Sequence, residues 1–212
     1  GSANIAISGT CSHNSSVEKQ FRYPTEYGAQ KPPTAQFTVT GAAAAVVARH
    51  GIGPVITRAT IGKVIDMGIK DPYNMGAAMA PAAVDTIQAH LHDFQLKPDY
   101  YDLIVTGDLA MVGSDIAAAL FQERGILIPE AKYNDCGKMI YDRTKQQVHA
   151  GGSGCACSAV VTYGHLLKKL RSREVNKILV VATGALLSPI TFQQKESIPC
   201  IAHAVAIENR EE

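Results

Sequence analysis

Gly151-Gly152-Ser153-Gly154-Cys155-Ala156-Cys157-Ser158-Ala159-Val160-Val161 is the stretch on which the reading of this chain turns. Three glycines lead into small side chains and then into the apolar start of a helix that runs to about residue 170. Glycine permits positive φ and close backbone approach. Small side chains let a helix nose press against another backbone, and the first turn of a helix leaves N–H groups free for an anion or a developing oxyanion. The run therefore reads in two ways: as a site of binding or chemistry at a buried helix start, or as a plain strand-to-helix turn.

Outward from that stretch, strand-like and helix-like segments alternate. Residues 3–8 form a short apolar strand, followed by a polar loop over 9–33. Residues 34–49 and 54–67 carry β-branched side chains at strand spacing. Residues 79–94 place Ala82, Ala83, Ile87 and Leu91 on one helical face. Asp102-Leu103-Ile104-Val105-Thr106 reads as a buried strand. A helix over 114–124 is expected next, N-capped by Ser114 and stopped by Gly125. After the glycine-cysteine turn come a helix over 159–170, an apolar strand over 177–182 and a last strand over 202–208. Near-continuous apolar strands separated by helices predict an α/β fold, a mixed sheet flanked by helices.

Composition narrows the function classes. With 20 Lys+Arg against 19 Asp+Glu the net charge is +1, which excludes a nucleic-acid or membrane partner held by bulk charge. No apolar run approaches the roughly 20 residues that span a bilayer, and no signal peptide is read at the start, so a soluble or peripheral protein is expected. Gly1-Ser2 is set aside as a cloning remnant. Five cysteines, Cys11, Cys136, Cys155, Cys157 and Cys200, are expected as reduced thiols. Cys155 and Cys157 lack a second Cys or His pair at ligand spacing, so no metal site is expected. His90 and His92 fall on different helical faces. His203 reads as a core histidine in an apolar strand. Lys168-Lys169-Leu170-Arg171-Ser172-Arg173 reads as a solvated helix C-terminus favoured by the helix dipole, with an anionic-lipid patch as the alternative.

Longer motifs carry a resemblance. Gln20-Phe21-Arg22-Tyr23-Pro24-Thr25-Glu26-Tyr27-Gly28, Met79-Ala80-Pro81-Ala82-Ala83, Thr106-Gly107-Asp108-Leu109, the 151–161 run, Ala182-Thr183-Gly184-Ala185-Leu186-Leu187-Ser188-Pro189 and Gln193-Gln194-Lys195-Glu196 resemble the stage V sporulation protein AD family of spore-forming bacteria. The resemblance covers nearly all of residues 3–208 and implies a thiolase-like layered fold. It implies that residues 3–53 end the N-terminal half of that fold and residues 54–212 form its C-terminal half. The function it implies is binding of dipicolinic acid, or its calcium complex, for uptake into the developing spore. Forespore or spore location, peripheral contact with the inner spore membrane and partners from the uptake system follow from the same resemblance. Because most of the first half is absent, bared apolar surface leads to an expectation of self-association.

The resemblance also bears on chemistry. Where ketosynthase-like relatives end a strand in a catalytic His, this chain has Asp108. Where they place an Asn or second His in the turn, it has Ser153, and the proton-shuttling Cys position falls near Val181 or Ala182. An ionised Asp accepts but cannot donate to an oxyanion, so no enzyme activity and no resident cofactor are expected. Ca²⁺ is expected only together with dipicolinate, since a lone carboxylate is a poor calcium site. A flat dianion calls for a guanidinium fork, N–H donors and an aromatic face. The candidates are Arg22 for a carboxylate, Tyr23 or Tyr27 for the ring, His13 in the same loop, and the backbone N–H groups of Ser153, Gly154 and Cys155. Asp108 is expected to cap a helix, to order a turn or to join a calcium complex. Two other functions compete: an acyl-coenzyme A condensing or thiolytic enzyme using Cys155 or Cys157, and a scaffold subunit of a membrane transport complex.

Overall fold

The computed structural model describes residues 4–13 and 32–210. A five-stranded mixed sheet lies at its centre. Its order is β4 (Val55–Ile61), β9 (Cys200–Glu208), β8 (Lys177–Ala185), β5 (Leu103–Thr106) and β6 (Tyr133–Asp135). β5 runs parallel to β8 and β6, whereas β9 is antiparallel to β8 and β4. The strands expected near 102–106, 177–182 and 202–208 thus share one sheet. Two short pairs stand apart from it: β1 (Ile5–Ser12) antiparallel to β3 (Gly41–Ala48), and β2 (Phe37–Thr38) parallel to β7 (Gly152–Ser153).

Alternation along β8 shows how the layers form. Leu179 and Val181 join the core under helix α1 (Met75–Asp93). Ile178 and Val180 join the opposite core with Val161, Leu166 and Leu170. β8 is covered on both faces, which is why it reads as an unbroken apolar run. Against β9, α1 offers mostly alanines, and these meet Ala202, Ala204 and Ala206. Where α1 crosses helix α2 (Ala110–Glu123), a Cβ on Gly113 would stand 2.6 Å from the Gly76 carbonyl oxygen, so the crossing requires glycine.

Several boundaries move from the sequence reading. The segment 34–49 divides into β2 and β3, and β4 ends at Ile61. α1 begins at Met75, with the Asn74 side chain accepting from Ala77 N–H, and carries Pro81 inside it. α2 begins at Ala110, so Ser114 is a buried interior residue rather than its N-cap. Gly125 does follow α2 with φ 69°. The helix expected over 159–170 starts at Cys155 as α4 (Cys155–Val161), widens into a π-helical turn at Thr162–Leu166 and resumes as α5 (Leu167–Arg171). It is buried along one side only: Cys155, Gly164 and His165 are exposed. His203 is also exposed and accepts from Gly62 N–H through Nδ1, because it points to the face of β9 away from α1. The face of β1 and β3 that bears Ile5, Ile7 and Val46 is open as well, with these side chains 65, 77 and 69% exposed.

A buried polar relay joins β4 to α1. His90 is fully buried between the Thr60 hydroxyl at 2.8 Å and the Tyr101 hydroxyl at 2.7 Å. Burial, reinforced by the Arg58 guanidinium, pushes the His90 pKa down to about 4. Arg58 itself pairs with Glu208 at 2.6 Å and lies over the Tyr100 ring.

Two outcomes follow for stability. Gly113→Ala should cost about 1–3 kcal/mol through backbone collision, seen as a lower urea midpoint with an unchanged slope. The folded His90 pKa lies below the ordinary 6.5, so on acidification the unfolded chain takes the proton first. The stability held by neutral His90 is complete above about pH 6.5 and is lost toward pH 4. The difference in unfolding free energy between the parent and His90→Gln should therefore shrink across that window; a difference constant with pH would show that folding leaves the His90 pKa unshifted.

Candidate functional site

The loop from β5 to α2, Thr106-Gly107-Asp108-Leu109, meets the glycine-cysteine turn at a single carboxylate. Asp108 Oδ1 accepts from the Thr183 hydroxyl at 2.7 Å. Its Oδ2 accepts from the Ser153 hydroxyl and from Gly154 N–H, both at 2.9 Å. The Gln36 side-chain amide donates to the Asp108 backbone carbonyl at 2.8 Å. Of the roles open to Asp108 in the sequence, the geometry is that of ordering a turn. The Gly154 N–H and Ser153 hydroxyl point at Asp108, and an ionised carboxylate among donors cannot itself donate to an oxyanion.

The turn adopts backbone that favours glycine: Gly151 has φ 124° and Gly154 φ 100°. β7 lies beside β2, with Phe37 N–H donating to Gly151 O and Val39 N–H to Ser153 O. From β1, the Ser12 hydroxyl accepts from Ala156 N–H at 3.2 Å and donates to Val39 O at 2.6 Å. Ser12 thus caps the first turn of α4 from a strand about 144 residues away in the chain. The Cys155 thiol is exposed and donates to Cys11 O at 3.1 Å, whereas Cys157 is buried.

Asp135, at the end of β6, holds the other side of the loop. Its carboxylate is fully buried and accepts from the Thr106 hydroxyl at 2.6 Å, from Leu109 N–H at 2.9 Å, and from Ala110 and Gly137 N–H at 2.8 Å each. α2 has no side-chain cap of its own at Leu109, and Asp135 supplies that function from another strand. Ala110 sits at φ 54°, a left-handed conformation that is strained for a residue with a Cβ.

Of the residues singled out in the sequence, Asp108, Ser153, Gly154 and Cys155 are brought together. His13 is exposed and follows directly on Ser12, at the rim of the turn. Arg22, Tyr23 and Tyr27 lie outside the described residues. Val181, at the expected thiol position, is buried in β8, with Ala182 beside it. Sequence reasoning missed Ser12, Gln36, Asp135 and Thr183. Thr183 stood inside a family motif without a role, and Asp135 left a trace as a lone acid in Tyr133-Asn134-Asp135-Cys136 before a glycine. The Gln36 side chain is 6% exposed and its Oε1 has no partner among the described residues.

Removal of the Asp108 carboxylate takes an acceptor away from the Thr183 and Ser153 hydroxyls and from Gly154 N–H. Asp108→Ala should lower the unfolding free energy by about 2–3 kcal/mol and speed hydrogen exchange at the Gly154 amide. Urea unfolding and amide exchange together check this; unchanged Gly154 protection would show that the turn stands without Asp108.

Comparison with known proteins agrees with the geometry. The family model for Stage V sporulation protein AD (SpoVAD) matches residues 1–208. Stage V sporulation protein AD of Bacillus subtilis (strain 168) is 56% identical over 208 residues, covering 98% of this chain and 61% of that protein. The chain therefore spans less than two thirds of that relative's length. Among solved structures, AbyA1, a tetronic acid condensing enzyme, matches with TM-score 0.51 at 15% identity, over 99% of this chain and 61% of its own. The 3-oxoacyl-[acyl-carrier-protein] synthase III of Aquifex aeolicus VF5 gives TM-score 0.49 at 14% identity, over 81% and 50%. At such identity the likeness to a condensing enzyme speaks for the fold alone. With a thiolase-like α/β fold and a family match over nearly its whole length, the chain belongs to the stage V sporulation protein AD family.

Proposed function

We propose that this chain forms part of a binding site for dipicolinic acid, or its calcium complex, in uptake into the developing spore, and that it does not convert the ligand. The observation that carries the second half of this reading is the Asp108 carboxylate, which draws in the Thr183, Ser153 and Gly154 donors. A condensing site needs donors aimed at a developing oxyanion; here an acid occupies the end of the β5 loop and absorbs them. Family membership supports a sporulation role. In this reading residues 3–53 end one half of the thiolase-like fold and residues 54–212 form the other. Arg22 takes one carboxylate, Tyr23 or Tyr27 lies against the ring, His13 belongs to the same loop, and the Ser153–Cys155 turn lines the other end.

The remaining features fit this frame. No helix among the described residues is long and apolar enough to cross a membrane, in keeping with peripheral contact at the inner spore membrane through other uptake proteins. The open faces bearing Ile5, Ile7 and Val46, and Ile56 and Ile61, support self-association of this chain when it stands alone. Sedimentation at tens of micromolar should show a dimer, and a clean monomer would count against it.

Titration of dipicolinate into this chain and into a full-length family member tests the reading. In the full-length background Arg22→Ala should lose roughly 10- to 150-fold in affinity, the usual worth of a charge-assisted bidentate pair. Arg22→Lys should recover only part, because an ammonium lacks the planar fork. Undiminished binding by Arg22→Ala would make Arg22 structural. One observation favours the competing enzyme reading, the exposed Cys155 thiol at the start of α4. Incubation with acetyl- or acetoacetyl-coenzyme A should give no turnover and no adduct by mass spectrometry; a stoichiometric thioester on Cys155 would overturn the non-catalytic reading.

A further inference from the structure

We propose that Asp135 is the positioning residue of this site: its buried carboxylate locks the β5–α2 loop and thereby fixes where Asp108, Ser153 and Gly154 meet. Three observations carry this. Asp135 grips two consecutive amides, Leu109 and Ala110, directly after Asp108. Ala110 is held in a left-handed conformation, which persists only where surrounding contacts impose it. The same carboxylate binds Thr106 at the β5 end and the Leu109 and Ala110 amides at the α2 end, so the loop is fastened at both ends to one group. Asp108 has no freedom to move without moving this knot, and its own acceptors determine the position of the glycine-cysteine turn.

The lock is also proton-sensitive. Burial pushes the Asp135 pKa up to about 7; the Thr106 hydroxyl and the Leu109 and Ala110 amides pull the other way, and the Asp108 charge adds to the rise. Each neighbouring element presents a group to it. β5 presents Thr106, the loop Asp108, β6 Tyr133 and α3 (Cys136–Met139) Cys136, behind which Cys157 of α4 acts on Cys136. On α2, Ser114 binds Lys138 at 3.5 Å, and Asp115 adds negative charge near Tyr133. Burial pushes Tyr133 up to about 12 and the Cys136 thiol well above its ordinary value, so both stay neutral near pH 7. Ionised, Asp135 accepts all four donors. Once protonated, it must donate, and the acceptor at hand is the Thr106 oxygen at 2.6 Å. The Thr106 hydrogen must then turn to Tyr133 Oη or Asn134 O, each 3.4 Å away. The grip on Leu109 and Ala110 weakens, and the Asp108 turn loosens with it.

The meaning of this lock for ligand binding rests on the dipicolinate reading of the site; the lock itself is a property of the free protein and is tested without ligand. Amide resonances of Leu109, Ala110, Gly137 and Gly154 are followed from pH 5 to pH 9 in the 212-residue chain. Gly154 bonds Asp108 and not Asp135, so it reports transmission. All four amides should titrate with one midpoint near pH 7, and the transition should vanish from Gly154 in Asp135→Asn. If Asp135→Asn fails to fold, Thr106→Val serves instead: loss of a donor to the ionised form should move the common midpoint upward. A Gly154 amide flat with pH, or one whose transition survives Asp135→Asn or ignores Thr106→Val, would overturn the proposal. Dipicolinate binding that fails while the common titration holds would sink the functional reading and leave the lock standing.

Discussion

The Asp108 carboxylate is the point on which the geometry of this chain depends. One side chain accepts from β8 through Thr183 and from the glycine-cysteine turn through Ser153 and Gly154, while its backbone carbonyl holds Gln36. These contacts link positions 45, 46, 75 and 72 residues apart. A charged acceptor surrounded by three donors makes stronger hydrogen bonds than a neutral one would. It also turns the Ser153 hydroxyl and the Gly154 amide toward the β5 loop.

Close approach of backbones is the second constraint. Alanines pack α1 on β9, and glycines let α1 cross α2. At the start of α2 the N-cap residue is Leu109, whose side chain has no oxygen to offer the first amides. Asp135 takes that role from β6, at the expense of a buried charge and a strained Ala110. Two buried titratable groups consequently act on stability in opposite directions. His90 has a depressed pKa, so its contribution is lost as pH falls from about 6.5 to 4. Asp135 has a raised pKa, so the folded chain holds its proton longer and stability declines as pH rises from about 4 to 7. The two slopes offset each other across the shared window, which leaves the pH curve of the parent flatter than either group would make it.

The sequence by itself determined the elements whose formation depends on near neighbours. Apolar runs at 103–106 and 177–182 are strands because each is covered on both faces, and the alternation of a buried strand is written in consecutive residues. Gly125 ends a helix and Gly151 and Gly154 make a turn because left-handed backbone favours glycine locally. The family motifs were legible for the same reason. What only the tertiary structure decided are bonds between distant positions: Asp135 capping a helix 25 residues earlier, Ser12 capping one 144 residues later, and Thr183 reaching Asp108. Ser114 looked like a cap because Ser before an apolar run is one in isolation, yet the helix starts at Ala110 once Asp135 satisfies its amides. His203 looked like core because β9 is apolar on both sides, yet on the face away from α1 the neighbours of His203 are only partly covered and His203 itself is exposed. Local preference acts over a few residues, whereas a hydrogen bond forms wherever the topology brings donor and acceptor within 3 Å, and no spacing in the chain encodes that meeting.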